Sequence, residues 1–415
     1  MHKQLITITI LLISSITFAQ QGTYSPYSFF GIGSQAFKGT AENRSMGGLS
    51  AITDSIHINL QNPAAYADLR LTTFTAGMTV NATNFETENS PSEQFRNTTV
   101  DYFAVGIPTK IGGFGAGLKP FSTVGYRINN RDEDLARIFE GRGGISTVYL
   151  SYGRKIGKNF KVGATANYNF GETENKALLF LNNVEFGSRD INTVNYGGFN
   201  FNFSAMYDLS IREKYQLSFL GMYRPESTIS TDANRRVATI ILDGAGDEIP
   251  QDEQNFPISS VDLNLPEQYT IGLSFGEKLK WQIGAEYRMT GASNFDLLTF
   301  NHTENLAYTE AQMFRLGGYF VPRYDDPTNI FRRWSYRAGI RYQETGMRIN
   351  NQDISEYGIS FGIGIPSGRY FTNANLGLEY GYRGTKSSGL VQENFISVFF
   401  SFSFNDRWFV EKKYN

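Results

Sequence analysis

The 415-residue chain contains no cysteine, has three histidines, and is only 19% charged, against about a quarter in an ordinary soluble domain. Without cysteine, disulfide scaffolds, thiol chemistry and Cys/His zinc sites are excluded. Lysine and arginine number 38 against 40 aspartates and glutamates. This near balance removes the electrostatic case for nucleic acid as a partner. Mean hydropathy is negative, and past the first 19 residues no stretch approaches the ~18 consecutive apolar residues that a spanning helix needs. A polytopic helical membrane protein is therefore excluded. What the chain has in quantity is Gly 42, Phe 34 and Tyr 24, a bias towards turn-rich β structure.

The first residues indicate a compartment. Met1-His2-Lys3 is a short basic start, Leu5 to Ile16 is mostly apolar, and Thr17-Phe18-Ala19 ends in a small residue. This is the shape of a signal peptide over 1–19, cleaved after Ala19. No cysteine follows it, so a lipoprotein anchor is excluded. The expectation is an exported chain that is either soluble or a β-barrel.

Past residue 68 the sequence alternates with period 2, the pattern of a sheet whose faces meet different surroundings. Ile396, Val398, Phe400, Phe402 and Phe404 share one face, and Ser397, Ser401 and Ser403 the other. Trp281, Ile283, Ala285, Tyr287 and Met289 oppose Lys280, Gln282, Gly284, Glu286 and Arg288 in the same manner. The spacing predicts strands at 69–83, 98–108, 113–126, 144–156, 160–172, 193–209, 214–230, 266–276, 279–290, 311–321, 333–346, 355–366, 373–384 and 393–405. These suit membrane strands of ~9 to 11 residues better than sandwich strands of about 5 or 6. Connections after odd-numbered strands (84–97, 127–143, 173–192, 231–265, 291–310, 347–354, 385–392) are mostly long and polar. Those after even-numbered strands are mostly short, the turn at 322–332 being the exception. Alternation of long and short connections is what an up-and-down barrel with external loops and periplasmic turns produces. Tyr126, Trp281, Tyr287, Tyr319, Trp334, Tyr342, Tyr382 and Trp408 fall near strand ends, as aromatic girdles require. The fold class is thus all-β: a transmembrane antiparallel β-barrel of about 14 strands over 69–405, followed by a periplasmic tail at 406–415.

Residues 20–68 precede the first strand and are moderately apolar and rich in glycine, alanine and proline, unlike a linker. A barrel of this size cannot be filled by wall side chains alone, so this segment is expected to be a plug or hatch. Within it, Met46-Gly47-Gly48 followed by Ala51, Asp54 and Asn62-Pro63-Ala64 resembles the hatch signature of the FadL-type family of Gram-negative outer-membrane transporters for long-chain fatty acids and other hydrophobic compounds. The resemblance implies a fourteen-stranded barrel plugged by its N-terminal domain, with the Asn-Pro-Ala element closing the hatch before the first strand. Ser25-Pro26-Tyr27-Ser28 and Asp406-Arg407-Trp408-Phe409 look like marks of a distinct branch.

Enzymatic readings fail on placement. Gly272 to Gly276 and Gly358 to Gly362 match G-x-S-x-G, but each lies inside an alternating strand and not on a strand-to-helix turn. Gly112 to Gly117 lacks the spacing of a phosphate loop, and the acidic run Asp243 to Glu253 matches no calcium loop. No catalytic, cofactor or metal site is expected. With apolar faces towards lipid, Lys280, Gln282, Glu286, Arg288, Arg315, Arg337, Arg341, Gln343 and Glu379 point inward. Of these, Glu286, Arg288, Arg315, Arg337, Arg341 and Glu379 should form a lumen polar network. Phe29, Phe30, Met46, Leu49 and Leu60, with the Asn62, Pro63 and Ala64 hinge, are candidates for a hatch pocket. Two functions follow. One is FadL-like passive uptake of a hydrophobic compound. The other is a plugged, non-transporting barrel serving as a subunit of an outer-membrane protein-insertion or secretion complex. The expected partners are outer-membrane lipid, a hydrophobic small molecule and other outer-membrane proteins.

Overall fold

The computed structural model describes residues 22–88, 91–243, 246–258, 262–293, 295, 305–367 and 372–408. The expected signal peptide and most of the 406–415 tail lie outside the described residues. Fourteen strands follow the N-terminal segment: β1 Thr72–Glu86, β2 Glu93–Thr109, β3 Gly112–Arg131, β4 Leu135–Ile156, β5 Phe160–Leu181 and β6 Gly187–Ile211. β7 runs over Tyr215–Arg224 and continues as Ser227–Leu242, and β8 comprises Glu248–Ile258, Leu263–Leu265 and Gln268–Glu277. The circuit continues with β9 Trp281–Thr290, β10 Leu306–Tyr308 with Ala311–Phe320, β11 Ser335–Ile349, β12 Gln352–Ser367, β13 Thr372–Arg383 and β14 Gln392–Asp406. Each strand pairs antiparallel with its neighbour in sequence. The ring closes where β14 meets β1, from Gln392 opposite Glu86 to Asp406 opposite Thr72. Closure leaves the sheet without a terminal strand, the condition for a sheet to stand in lipid.

The alternation read from the sequence is an inside-out packing. Val148, Leu150, Phe199, Phe201, Ile271, Leu273, Ile340, Ile359, Leu376, Leu378, Phe402 and Phe404 are exposed on the outer wall. Their neighbours Thr147, Ser151, Asn200, Thr270, Ser274, Ser360, Asn375, Glu379, Ser401 and Ser403 are buried. An outer aromatic ladder crosses five strands through Tyr287, Phe314, Tyr342, Tyr357 and Tyr382, with successive centroids 4.7, 6.4, 4.7 and 4.8 Å apart. Two of the aromatics expected in girdles belong inside instead. Tyr126 is buried and donates to Asn175 Oδ1 at 2.7 Å, and Tyr319 packs against Met46, Leu49 and Ile52. Both stand at inward positions of their strands, and strand parity overrides proximity to a strand end.

Several expected loops are strand. Arg127 to Arg131 pair with Glu140 to Ala136 before a turn at 132–134. Thr173 to Leu179 pair with Val194 to Ser188, and Ala233 to Leu242 pair with Ile258 to Glu248. Beyond the bilayer a ribbon buries only a small cluster, Leu178, Ala238 and Ile240 with Ile138 and Phe180, so the apolar alternation weakens while the backbone ladder continues. Cross-strand ion pairs such as Arg127 to Glu140 at 3.3 Å replace it. The acidic run is part of this ribbon, with Glu248 on Lys176 and Glu253 on Arg189, both at 2.7 Å. The opposite rim has short turns at 110–111, 157–159 and 212–214, with the longer 321–334 connection carrying a short helix, Ile330–Arg333. Lys280, expected inward, sits in the turn at 278–280 and is half exposed.

Candidate functional site

Residues 22–71 form short pieces and not a domain core: two 3-10 turns, Pro26–Phe29 and Pro63–Asp68, and one helical turn, Ala41–Arg44. Thr40 caps that turn by accepting from the Asn43 N–H. Helices this short have little stability of their own, so the segment takes its shape from the wall it touches. Ser34–Gln35 pair with Thr123 and Ser122 of β3. The Ala41 N–H donates to Tyr102 on β2, and the Ala64 N–H donates to Ser204 Oγ on β6 at 2.7 Å. The Ser50 N–H and Oγ–H both donate to Glu286 on β9. Its partners therefore stand around the barrel circumference.

Glycines on the wall permit this closeness. A Cβ on Gly163 would stand 2.3 Å from the Pro63 carbonyl carbon, and one on Gly339 would stand 2.2 Å from that of Met46. The two quoted motifs are thus among the places where the segment's backbone lies directly on the sheet, as it also does where Thr23 meets Gly125 and Tyr66 meets Gly113. Asn62 is fully buried. Its side chain accepts from the Ala64 N–H at 3.1 Å and donates to the Ser50 carbonyl at 3.2 Å.

Charge joins the segment to β11–β14. Arg44 donates to Glu379 at 2.5 Å, and Lys38 to Glu356 at 2.6 Å. Arg341 bridges the same two carboxylates at 2.6 Å each. Arg383 pairs with Glu356, and the Ser25 hydroxyl donates to Glu393. Arg337 donates to Asn375 at 3.0 Å, and Asn375 donates to Glu42 at 2.7 Å. Burial pulls the Lys38 ammonium down to about 8, although Glu356 and Glu379 favour its charge. Across the barrel, Lys161 binds Asp68 at 2.6 Å and Asp208 at 2.9 Å.

Of the expected polar network, Glu286, Arg288 and Arg315 form one group, with Arg315 on Glu286 at 2.6 Å and Arg288 3.9 Å away. Arg341 and Glu379 form another, while Arg337 stands apart with Asn375. The apolar candidates do not converge on one pocket. Met46 and Leu49 pack with Ile52, Leu60 with Phe37, Ile58 and Tyr66, and Phe29 edge-on to Tyr126 and Phe139. Phe30 lines a cavity of about 330 Å³ between the segment and the wall. Sequence reading missed Lys38, Arg44, Lys119, Arg224, Glu356, Arg383 and Glu393. Glu356, Arg383 and Glu393 share the inward parity of their strands, the one signal that could have found them.

That cavity is lined by seven basic side chains and one carboxylate, Glu356. Lys38, Arg341 and Arg383 share Glu356, and Arg315 has Glu286. Lys119, Arg224 and Arg288 have little. Lys119 donates to the Leu60 carbonyl at 3.2 Å and lies over the Phe37 and Tyr149 rings. Arg224 donates to the Pro266 carbonyl at 3.1 Å, and Arg288 to Thr270 Oγ1 at 3.2 Å. Ser274 and Ser360, the serines of the two G-x-S-x-G matches, lie inside strands against the N-terminal segment. Ser360 Oγ accepts from the Gly47 N–H at 3.0 Å, and Ser274 Oγ donates to the Ala51 carbonyl at 3.4 Å.

The fold is that of FadL-type outer-membrane channels. The chain is similar to the Pseudomonas putida toluene transporter TodX, with a TM-score of 0.60 and 13% identity over 89% of this chain and 98% of that one. It is also similar to the CymD monoaromatic hydrocarbon channel (0.56, 14%, 93% and 99%) and to a Pseudomonas aeruginosa FadL homologue (0.54, 14%, 91% and 99%). No curated protein sequence matches it. At these identities the likeness is one of fold, and a family model matches along the whole chain. Matching the BamG model over residues 1–415, this outer-membrane barrel belongs to the BamG family.

Proposed function

We propose that this protein is a plugged, non-conducting barrel that serves as a subunit of an outer-membrane protein-insertion or secretion complex, exported there by the signal peptide at 1–19. The observation that carries this reading is the set of buried ion pairs binding residues 22–71 to opposite walls, Arg44 to Glu379 on one side and Asp68 to Lys161 on the other. Breaking one partner of a buried pair costs about 3 to 5 kcal/mol, so a hatch that opened in each transport cycle would have to disrupt several such pairs together. Membership of the BamG family supports the same reading. Function would then reside in exposed surfaces. These are the ribbons rising from β3–β8 and the 321–334 connection, where Tyr324, Ile330 and Phe331 are exposed. A pull-down in mild detergent at native expression should recover a partner in near-equal amount, and a lone monomer would overturn the proposal.

A second reading, passive uptake of a hydrophobic compound, is supported by the shared fold with hydrocarbon channels and by Phe30, Ile32, Phe121, Met222 and Phe295 along the cavity. Here the 22–71 segment would be a hatch hinged at Asn62-Pro63-Ala64. Replacing Pro63 should then change flux of a small aromatic compound into proteoliposomes, and flux equal to that of empty liposomes would remove this reading.

A further inference from the structure

Lys119, Arg224 and Arg288 come from β3, β7 and β9, yet they line one cavity. Among the described residues no carboxylate reaches Lys119 or Arg224. The one nearest Arg288, Glu286, is 3.9 Å away and already holds Arg315 and Ser50. Nε of Arg224 and Nε of Arg315 are buried with no hydrogen-bond partner. Arg315 and Arg288 are at least nine-tenths buried. Two partly buried cations without a carboxylate, beside a buried third that shares its only carboxylate with Arg315, are unfavourable together unless an anion joins them. The neutral side chains around them, Gln268, Thr270 and the asparagines 167, 169, 200 and 202, offer further donors. Guanidinium groups bind phosphate through paired N–H groups, and an ammonium binds it as a point charge. A single carboxylate would offset only one of the three charges, whereas a phosphoryl group carries close to two.

We propose that this cavity is a binding site for a phosphoryl oxyanion held between Lys119, Arg224 and Arg288. The site stands apart from both readings of function, because neither transport of an uncharged hydrocarbon nor plugging requires two cations without a carboxylate beside a third that shares one. The anion is either free phosphate or a lipid phosphomonoester, and the two are separable.

Full-length protein in dodecyl maltoside, exchanged into phosphate-free buffer, is melted with added inorganic phosphate, with dihexanoyl phosphatidic acid, and with sodium chloride at matched ionic strength. Inorganic phosphate raising the midpoint by about 4 °C supports the proposal with a free anion. A rise with phosphatidic acid alone supports it with a lipid headgroup. Equal shifts with chloride, or none with either phosphate source, overturn it. Arg288→Met should weaken the phosphate response at least about tenfold while melting no lower than wild type in phosphate-free buffer, because it relieves repulsion. An Arg288→Met loss of the same size with and without phosphate overturns the proposal. Lys119→Met tests the same point from another strand, and Lys280→Met, at an exposed turn, should keep the full response.

Discussion

The two sides of the barrel interior differ in how they answer their charges. Towards β11–β14, four cations face carboxylates: Lys38, Arg341 and Arg383 share Glu356, and Arg44 holds Glu379, while Arg337 is held by Asn375. Towards β3 and β7–β9, Lys119 and Arg224 find only carbonyl oxygens and ring faces. The first side is a staple between the N-terminal segment and the wall. The second borders the cavity. Desolvating an ion costs several kcal/mol whatever its neighbours, so the staple is a device for holding one arrangement in place and the unpaired side is a device for receiving something.

The largest effect should come from breaking the staple. Glu379→Gln leaves Arg44 and Arg341 buried with half their partners and should cost about 3 to 5 kcal/mol, read as a lowered urea midpoint in detergent. If the staple keeps the barrel closed, Glu356→Gln combined with Glu379→Gln should also raise ion leakage across a planar bilayer. An intact midpoint would show that the two sides of the interior do not differ in strength. On the opposite wall, Lys161→Met strips the partner from Asp208 and the nearer partner from Asp68. Asp68 keeps Lys155 at 2.9 Å, so a loss nearer the lower end, about 3 kcal/mol, is expected by the same measurement. Asn62→Ala removes the cap on the Pro63–Asp68 turn without disturbing any charge. It should cost about 1 kcal/mol, which would separate the contribution of this turn from that of the ion pairs.

The parity of the strands made most of this arrangement legible in the sequence. Fourteen strands, their order and the inward placement of Glu286, Arg315, Arg341 and Glu379 follow from period-2 alternation, because lipid tolerates charge so poorly that each strand has one permissible orientation. Where water replaces lipid, that constraint lapses, and the ladders from Arg127 to Arg131 and from Ala233 to Leu242 read as loops. Lys38 and Arg44 were not legible because the 22–71 segment has almost no regular structure, so no periodicity indicates where its side chains point. Lys119 and Arg224 escaped for a different reason: only the closed ring brings β3, β7 and β9 to one cavity. Phe30 and Leu60 show the limit of composition. Both are apolar residues of one segment, yet they belong to separate clusters because the segment follows the wall instead of folding on itself.

The smallest expected effect tests whether the segment also carries a charge balance independent of the wall. Asp54 accepts from the backbone N–H groups of Ile56 and His57, and its other oxygen lies 2.5 Å from His57 Nδ1. Burial raises the Asp54 carboxyl, but the charge and hydrogen bond of His57 outweigh it and hold the carboxyl down at about 2. Burial lowers the His57 imidazole, but Asp54, with Glu42 at 4.0 Å, raises it above its ordinary value against the opposing charge of Arg337. The signs set the window. The His57 contribution is complete below its unfolded pKa of about 6.5 and is lost as pH rises through the higher folded value, whereas the Asp54 contribution is complete above about 3.9 and is lost as pH falls towards 2. The pair should therefore stabilise most between about pH 4 and 6.5. Since the Asp54 side chain is 38% exposed, the gain should stay below about 1 kcal/mol. The urea midpoint of wild type minus that of His57→Gln should shrink as pH rises from about 6 to 9. A difference that stays constant over that range would place the coupling in the wall, with Arg337, and not within the segment.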